Sequence, residues 1–169
     1  MPLDISSGHP EKHRGMRVVA LDVGERRVGV AISDATRTLA RPVGVLRPHA
    51  LEHDAAELAA AEVARLRAEE DGVQTIVVGL PRRLDGSPTE MTPRVTAFAE
   101  ALGRLTNLPV VLQDERLTSR EAESRLALTD KNWRSRKRRL DAAAAAVILQ
   151  DYLDTRPGRP VPMAVDPEL

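Results

Sequence analysis

No cysteine occurs in the chain. That excludes a disulfide framework and thiolate zinc sites, and it suits a reducing cytoplasm. Aromatic residues are almost as scarce, Phe98, Trp133 and Tyr152 being the only three, which argues against binding single strands on rows of stacked rings. Neither sign of charge is in surplus: 25 Lys and Arg face 25 Asp and Glu, so any case for an anionic partner must come from local clustering. No apolar run approaches the ~18 residues of a membrane span. The opening residues carry no signal-peptide pattern, so a cytoplasmic protein away from the membrane is expected. The 169 residues suffice for one domain with a sizeable core.

What is present is organised around residues 17–34. The stretch from Arg17 to Asp34 reads as two short β-branched, apolar runs joined by a tight polar turn, the signature of a hairpin. Asp22 is the odd feature, an acid at the end of an apolar strand. Such a carboxylate has to be paired, neutralised or metal-bound, because an isolated buried charge is very costly. Gly24 and Gly29 remove side chains near the turn and leave room for a ligand or for close backbone approach.

Residues 1–15 and 155–169 lack periodicity and read as flexible tails, the second Pro-rich, leaving one domain over 16–154. Leu39 to Leu46 reads as a third strand, at a sheet edge because of Pro42. An Ala- and Glu-rich helix over 52–71 follows, with Leu58, Val63 and Leu66 inward and Gly72 as its stop. Val73 to Leu80 is uninterrupted and apolar, as in a central parallel strand covered on both faces. Ser87, Pro88 and Glu90 spell a capped helix start, continued by Met91, Val95, Phe98, Leu102 and Leu105. Leu108 to Leu112 is a strand running into Asp114-Glu115-Arg116. Thr118 and Glu121 cap a helix to about Leu128, and the last helix covers Leu140 to Asp154. His49 and His53, like His9 and His13 in the tail, have metal-ligand spacing without a third partner, so they are read as solvated. The whole predicts a mixed five-stranded α/β sheet, three antiparallel strands and then strand–helix alternation, with helices on both faces.

The motifs in order are Leu21-Asp22-Val23-Gly24 with Arg27-Val28-Gly29-Val30-Ala31, then Val77-Val78-Gly79-Leu80-Pro81, Asp114-Glu115-Arg116-Leu117-Thr118, and Asp141 with its alanine run. Each is weak alone, but the ordered set resembles the YqgF (RuvX) family of the ribonuclease H-like superfamily. Its members are described as pre-16S rRNA nucleases and Holliday junction resolvases. The resemblance implies a ribonuclease H-like fold with the first strand central. It also implies three converging carboxylates, Asp22, Glu115 and Asp141, as catalytic metal ligands. Adjacent strand residues face opposite ways, so Asp114 stays as the alternative to Glu115.

Phosphodiester hydrolysis needs an activated water and neutralisation of charge on phosphate oxygens, which two Mg²⁺ or Mn²⁺ ions roughly 4 Å apart supply when substrate is bound. An all-oxygen ligand set suits those metals. Six of the nine residues from Lys131 are basic: Lys131, Arg134, Arg136, Lys137, Arg138 and Arg139. Together with Arg82, Arg83 and Arg116 they are candidates for phosphate-backbone contact.

Three function classes follow. The first is a metal-dependent nuclease, processing the 5′ end of pre-16S rRNA or resolving junctions and cutting branched or single-stranded DNA. The second is an actin-like phosphate-handling kinase, since Asp22-x-Gly24-x-x-x-x-Gly29 also resembles that phosphate loop. Those kinases need two such domains, and this chain has room for one. The third is a non-catalytic RNA-binding assembly factor. Monomer and homodimer stay open, symmetric junction cleavage requiring the dimer.

Overall fold

The computed structural model describes residues 16–49, 54–115 and 133–155, with backbone alone for 133–141. The two tails, His53, Arg116, the helix expected from Thr118 and Lys131 lie outside the described residues. So do the side chains of Arg134, Arg136, Lys137, Arg138, Arg139 and Asp141.

The hairpin forms as its pattern predicts. β1 (Arg17–Val23) pairs antiparallel with β2 (Val28–Ser33), and the turn closes through Gly24 N–H donating to the Arg27 carbonyl at 2.8 Å. β3 (Ala40–Leu46) adds antiparallel to β2. β4 (Val73–Leu80) adds parallel to β1, and β5 (Val110–Asp114) parallel to β4. The order is β3-β2-β1-β4-β5, which puts β1 at the centre and the Pro42-bearing strand at an edge. This is the mixed five-stranded α/β sheet that the sequence predicts.

Strand alternation feeds two separate apolar layers. Val19, Leu21, Val23, Val78 and Leu80 meet α1 (Ala55–Arg67) and α2 (Met91–Thr106) on one face. Val18, Ala20, Ala31 and Val77 meet Ala145, Ile148, Leu149 and Leu153 of α3 (Trp133–Thr155) on the other. α3 is also pinned to both edges of the sheet. Gln113 Nε2 donates to Asp151 Oδ2 at 2.7 Å, while Gln150 accepts from Ala40 N–H and donates to the Thr38 carbonyl, both at 3.0 Å.

Several boundaries differ from the sequence reading. α1 spans 13 residues rather than twenty and turns Ala55 and Ala59 inward, leaving Leu58 37% exposed. Its carbonyl end is met by Arg17, only 6% exposed, which donates to the Leu66 and Gly72 carbonyls at 2.8 and 3.0 Å and pairs with Glu69 at 2.9 Å. Leu105 is 53% exposed near the end of α2. The Ser87/Glu90 capping box does not form, because Ser87 bonds Asp85 Oδ1 through both its N–H and its hydroxyl. Reciprocal capping falls to Thr89 and Thr92 instead: Met91 N–H donates to Thr89 Oγ1 and Thr89 N–H to Thr92 Oγ1. The last helix begins at Trp133, seven residues before the expected Leu140, so 133–139 are helical rather than a segment leading into a helix.

Candidate active site

Asp22 lies at the C-terminal end of the central strand, on the face that α3 covers, as its alternation with Val18 and Ala20 requires. Its partner across the β1–β2 ladder is Gly29. On the β4 side the last paired residues are Leu21 and Val78, and the next positions along are Asp22 and Gly79. The carboxylate therefore stands between two glycines, in a bay that neither neighbouring strand fills.

Glu115 reaches this bay from β5. The strand alternates Val111, Gln113 and Glu115 toward α3, as the Gln113–Asp151 bond and the packing of Val111 show, while Asp114 falls on the opposite parity. Glu115 N–H continues the ladder by donating to the Leu80 carbonyl at 3.3 Å. Its side chain is half-buried, with Oε2 out of solvent, and it is in side-chain hydrogen-bond contact with Asp22. A Cβ built on Gly79 would lie 2.6 Å from that Oε2. Burial first, then the negative charge of Asp22 and the hydrogen bond to it, and last Asp114, push the Glu115 carboxyl up to about 8. At neutral pH the Asp22–Glu115 pair therefore holds a proton between its members.

Of the three acids taken from the resemblance, two are brought together. The third, Asp141, sits in α3 one turn before Ala145 and two before Ile148 and Leu149, in register with the row that packs on the sheet. Among the described residues no group of three His, Cys, Asp or Glu is gathered closely enough to hold a metal ion. The two donors that are gathered nevertheless fit a hard divalent cation: both are carboxylates, and the charge repulsion that now holds a proton would be relieved by a cation.

Arg82 and Arg83 follow β4 directly and are exposed on a short hairpin. It is closed by a bridge between Arg82 and Pro88, by Arg83 N–H donating to the Ser87 carbonyl at 2.9 Å, and by Gly86 at φ 87°. Leu84 stands at its tip, 58% exposed. Ser33 and Asp34, by contrast, shape a turn at the far end of β2. Val18 N–H donates to Ser33 Oγ at 2.9 Å, and Asp34 accepts from Thr36 and from the N–H groups of Thr38 and Leu39. Burial opposes ionisation of Asp34, but those bonds outweigh it and hold the group at about 2.

Gly79 is the feature that a residue-by-residue reading passes over. Within the sequence it looks like the weak end of a strand, and its signal is only its place in the Val77-Val78-Gly79-Leu80-Pro81 motif.

Comparison with known proteins places the chain. The family model described as "RuvX: Holliday junction resolvase" matches residues 16–155. A protein of Anaeromyxobacter sp. (strain Fw109-5) named "Putative pre-16S rRNA nuclease" is 47% identical over 141 residues, 83% of this chain and 98% of its own. One of the same name from Chloroflexus aggregans is 42% identical over 139 residues, 82% of this chain and 94% of its own. Among solved structures, T. thermophilus RuvC in complex with Holliday junction substrate has a TM-score of 0.45 at 18% identity, covering 81% of this chain and 94% of that chain. The motifs around Asp22, Gly79, Glu115 and Asp141 all fall inside the matched span, and the chain belongs to the RuvX (YqgF) family.

Proposed function

We propose that this protein is a divalent-metal-dependent nuclease that processes the 5′ end of pre-16S rRNA in the cytoplasm. The observation that carries this reading is the Asp22–Glu115 pair: two carboxylates from separate strands, pressed together in a glycine-lined bay at the C-terminal end of the central strand. Two carboxylates set against each other in this way favour the binding of a positive charge, which relieves their mutual repulsion. Asp22, Glu115 and Asp141 are the residues that hold Mg²⁺ or Mn²⁺ in this reading. Asp114 is set aside because it lies on the opposite strand parity. When bound, the ions supply an activated water and neutralise charge on the phosphate.

The chain's own residues perform the rest. Asp22 and Glu115 give up the proton they hold and present oxygens toward the opening of the bay. The glycines flanking Asp22 leave a passage for a phosphate that side chains would otherwise block. Arg82 and Arg83, on a rigid hairpin leaving β4 beside Gly79, attract the polyanion without reading its sequence. The basic residues from Lys131 to Arg139 and Arg116 extend that attraction.

The test is cleavage of a precursor-rRNA 5′ leader, a four-way DNA junction and linear single strands in parallel, with Mn²⁺, by the wild type and Asp22→Asn. The leader is expected to be cut, and Asp22→Asn to lose at least ~100-fold in rate while still binding RNA. Undiminished cleavage by Asp22→Asn sinks the assignment. A second reading, junction resolution, is favoured by the description of the matched family. Preferential cutting of the four-way junction by a dimer selects it. Binding without cleavage of any substrate selects a non-catalytic assembly factor.

A further inference from the structure

Gly79 occupies an unusual place near the end of β4, a strand that runs parallel to both of its neighbours. It pairs with Gln113 across the β4–β5 ladder and faces α3, as its alternation with Val77 requires. A methyl group added there would lie 2.6 Å from Glu115 Oε2, 3.3 Å from Glu115 Cδ and 2.6 Å from Ile148 Cδ1. Carbon atoms do not approach other heavy atoms so closely, so one or both neighbours would have to move. Ile148 ends in a flexible methyl group that swings aside or is shortened at little cost. Glu115 has less freedom. Its backbone N–H is tied to the Leu80 carbonyl, and its side chain lies between Asp22, the β4 backbone and Ile148.

We propose that Gly79 is a positioning residue for the carboxylate pair: the volume left by its missing Cβ is the seat in which Glu115 is set against Asp22. The inference rests on the reading of Glu115 and Asp22 as metal ligands and deepens it. A glycine is needed here to let a side chain from the neighbouring strand fold back over the β4 backbone, and not for any freedom of its own φ. Any larger residue lifts Glu115 out of the bay, separates the two carboxylates and weakens their joint hold on a cation. Gly79 touches neither metal nor substrate and acts only through Glu115.

The test separates the two neighbours of the absent methyl. Ile148→Val removes Cδ1 and serves as the background. Mn²⁺ binding is followed by electron paramagnetic resonance without nucleic acid, and thermal midpoints are measured without metal. Adding Gly79→Ala to Ile148→Val is expected to weaken Mn²⁺ binding at least ~10-fold, the loss typical when the support of a ligand is disturbed. It is also expected to lower the midpoint by about 5 °C. In the Glu115→Ala/Ile148→Val background the same Gly79→Ala change is expected to be thermally silent, because nothing is left to displace. Equal midpoint losses in both backgrounds, or Mn²⁺ binding unchanged by Gly79→Ala, overturns the inference. Should Gly79→Ala/Ile148→Val fail to fold, recovery of folding on adding Glu115→Ala supports it and continued failure overturns it. Asp22→Asn and Glu115→Gln act as the independent check. If both bind Mn²⁺ like the wild type, the metal-site reading fails, whereas the thermal cycle between positions 79 and 115 still reports on the seat.

Discussion

Glu115 gives the metal-free protein a signature in pH. Its folded value of about 8 stands above the ordinary 4.5, the main cause being burial and the second the charge of Asp22. A carboxyl raised by folding contributes stability that is fully present below about 4.5 and is lost as pH rises through about 8. With chelator present, the thermal midpoint is therefore expected to fall between pH 5 and pH 8.5, and Glu115→Gln, which carries no titrating proton, to flatten that fall. At the proposed metal site Mn²⁺ would displace the same proton, so its affinity is expected to climb over this range and level off above about pH 8. A midpoint profile identical in wild type and Glu115→Gln contradicts the assignment. Arg17 is a second residue with a measurable consequence. It is buried, and it satisfies two carbonyls at the end of α1 while pairing with Glu69. Arg17→Met keeps most of the apolar bulk but removes the bonds to both carbonyls and the ion pair with Glu69, and a loss on the order of 3 kcal/mol is expected in urea unfolding. A shift within experimental error would mean that water replaces the guanidinium without penalty. The roles of Arg17 and Gly79 are not legible in the sequence, where Arg17 opens one apolar strand and Gly79 lies near the end of another. Both depend on partners far away in the chain. Asp22 announces itself, because an acid closing an apolar strand is anomalous whatever surrounds it.

Elements with a strict apolar period were legible, and those whose ends depend on polar competition were not. The β1–β2 hairpin, β4 and the body of α2 lie where alternation or helical spacing puts them. The start of α2 shifts because Asp85 competes for Ser87 and folds residues 82–88 into their own hairpin. The start of α3 was hidden for a different reason. Arg and Lys are good helix formers, but a search for apolar periodicity sees nothing in Arg134-Ser135-Arg136-Lys137-Arg138-Arg139. For the 82–88 hairpin the consequence is electrostatic. Arg82→Gln/Arg83→Gln removes two exposed charges while leaving the backbone bonds that shape the loop. RNA binding is expected to weaken uniformly across sequences, and the slope of log K against log salt to fall by about 1.5. An unchanged slope would take this hairpin off the nucleic-acid surface.

At the scale of the molecule, both apolar layers are closed by residues between Val18 and Leu153. Removing residues 1–15 and 156–169 is expected to leave the thermal midpoint within about 2 °C of the full chain. A larger fall would mean that a terminal segment belongs to the domain. The sheet was predictable in class because three hairpin-linked strands followed by strand–helix alternation imply a mixed sheet, while the central place of β1 was expected only from the family resemblance. Its two-layer division follows from the same alternation.

The placement of α3 also has a meaning in time. During synthesis the three antiparallel strands, α1, β4, α2 and β5 all leave the ribosome before this helix does. Until then Val18, Ala20, Ala31 and Val77 lack the cover that Ala145, Ile148, Leu149 and Leu153 give them. A nascent chain at that stage has one finished layer and one bare sheet face, the kind of surface on which chaperones act and aggregates begin. The carboxylate bay opens onto that same bare face, and Asp141 arrives only with the helix that closes it. Translation thus orders the events for the proposed site: a ribosome-bound precursor of this protein has Asp22 and Glu115 but not Asp141, which joins the chain only with its last helix.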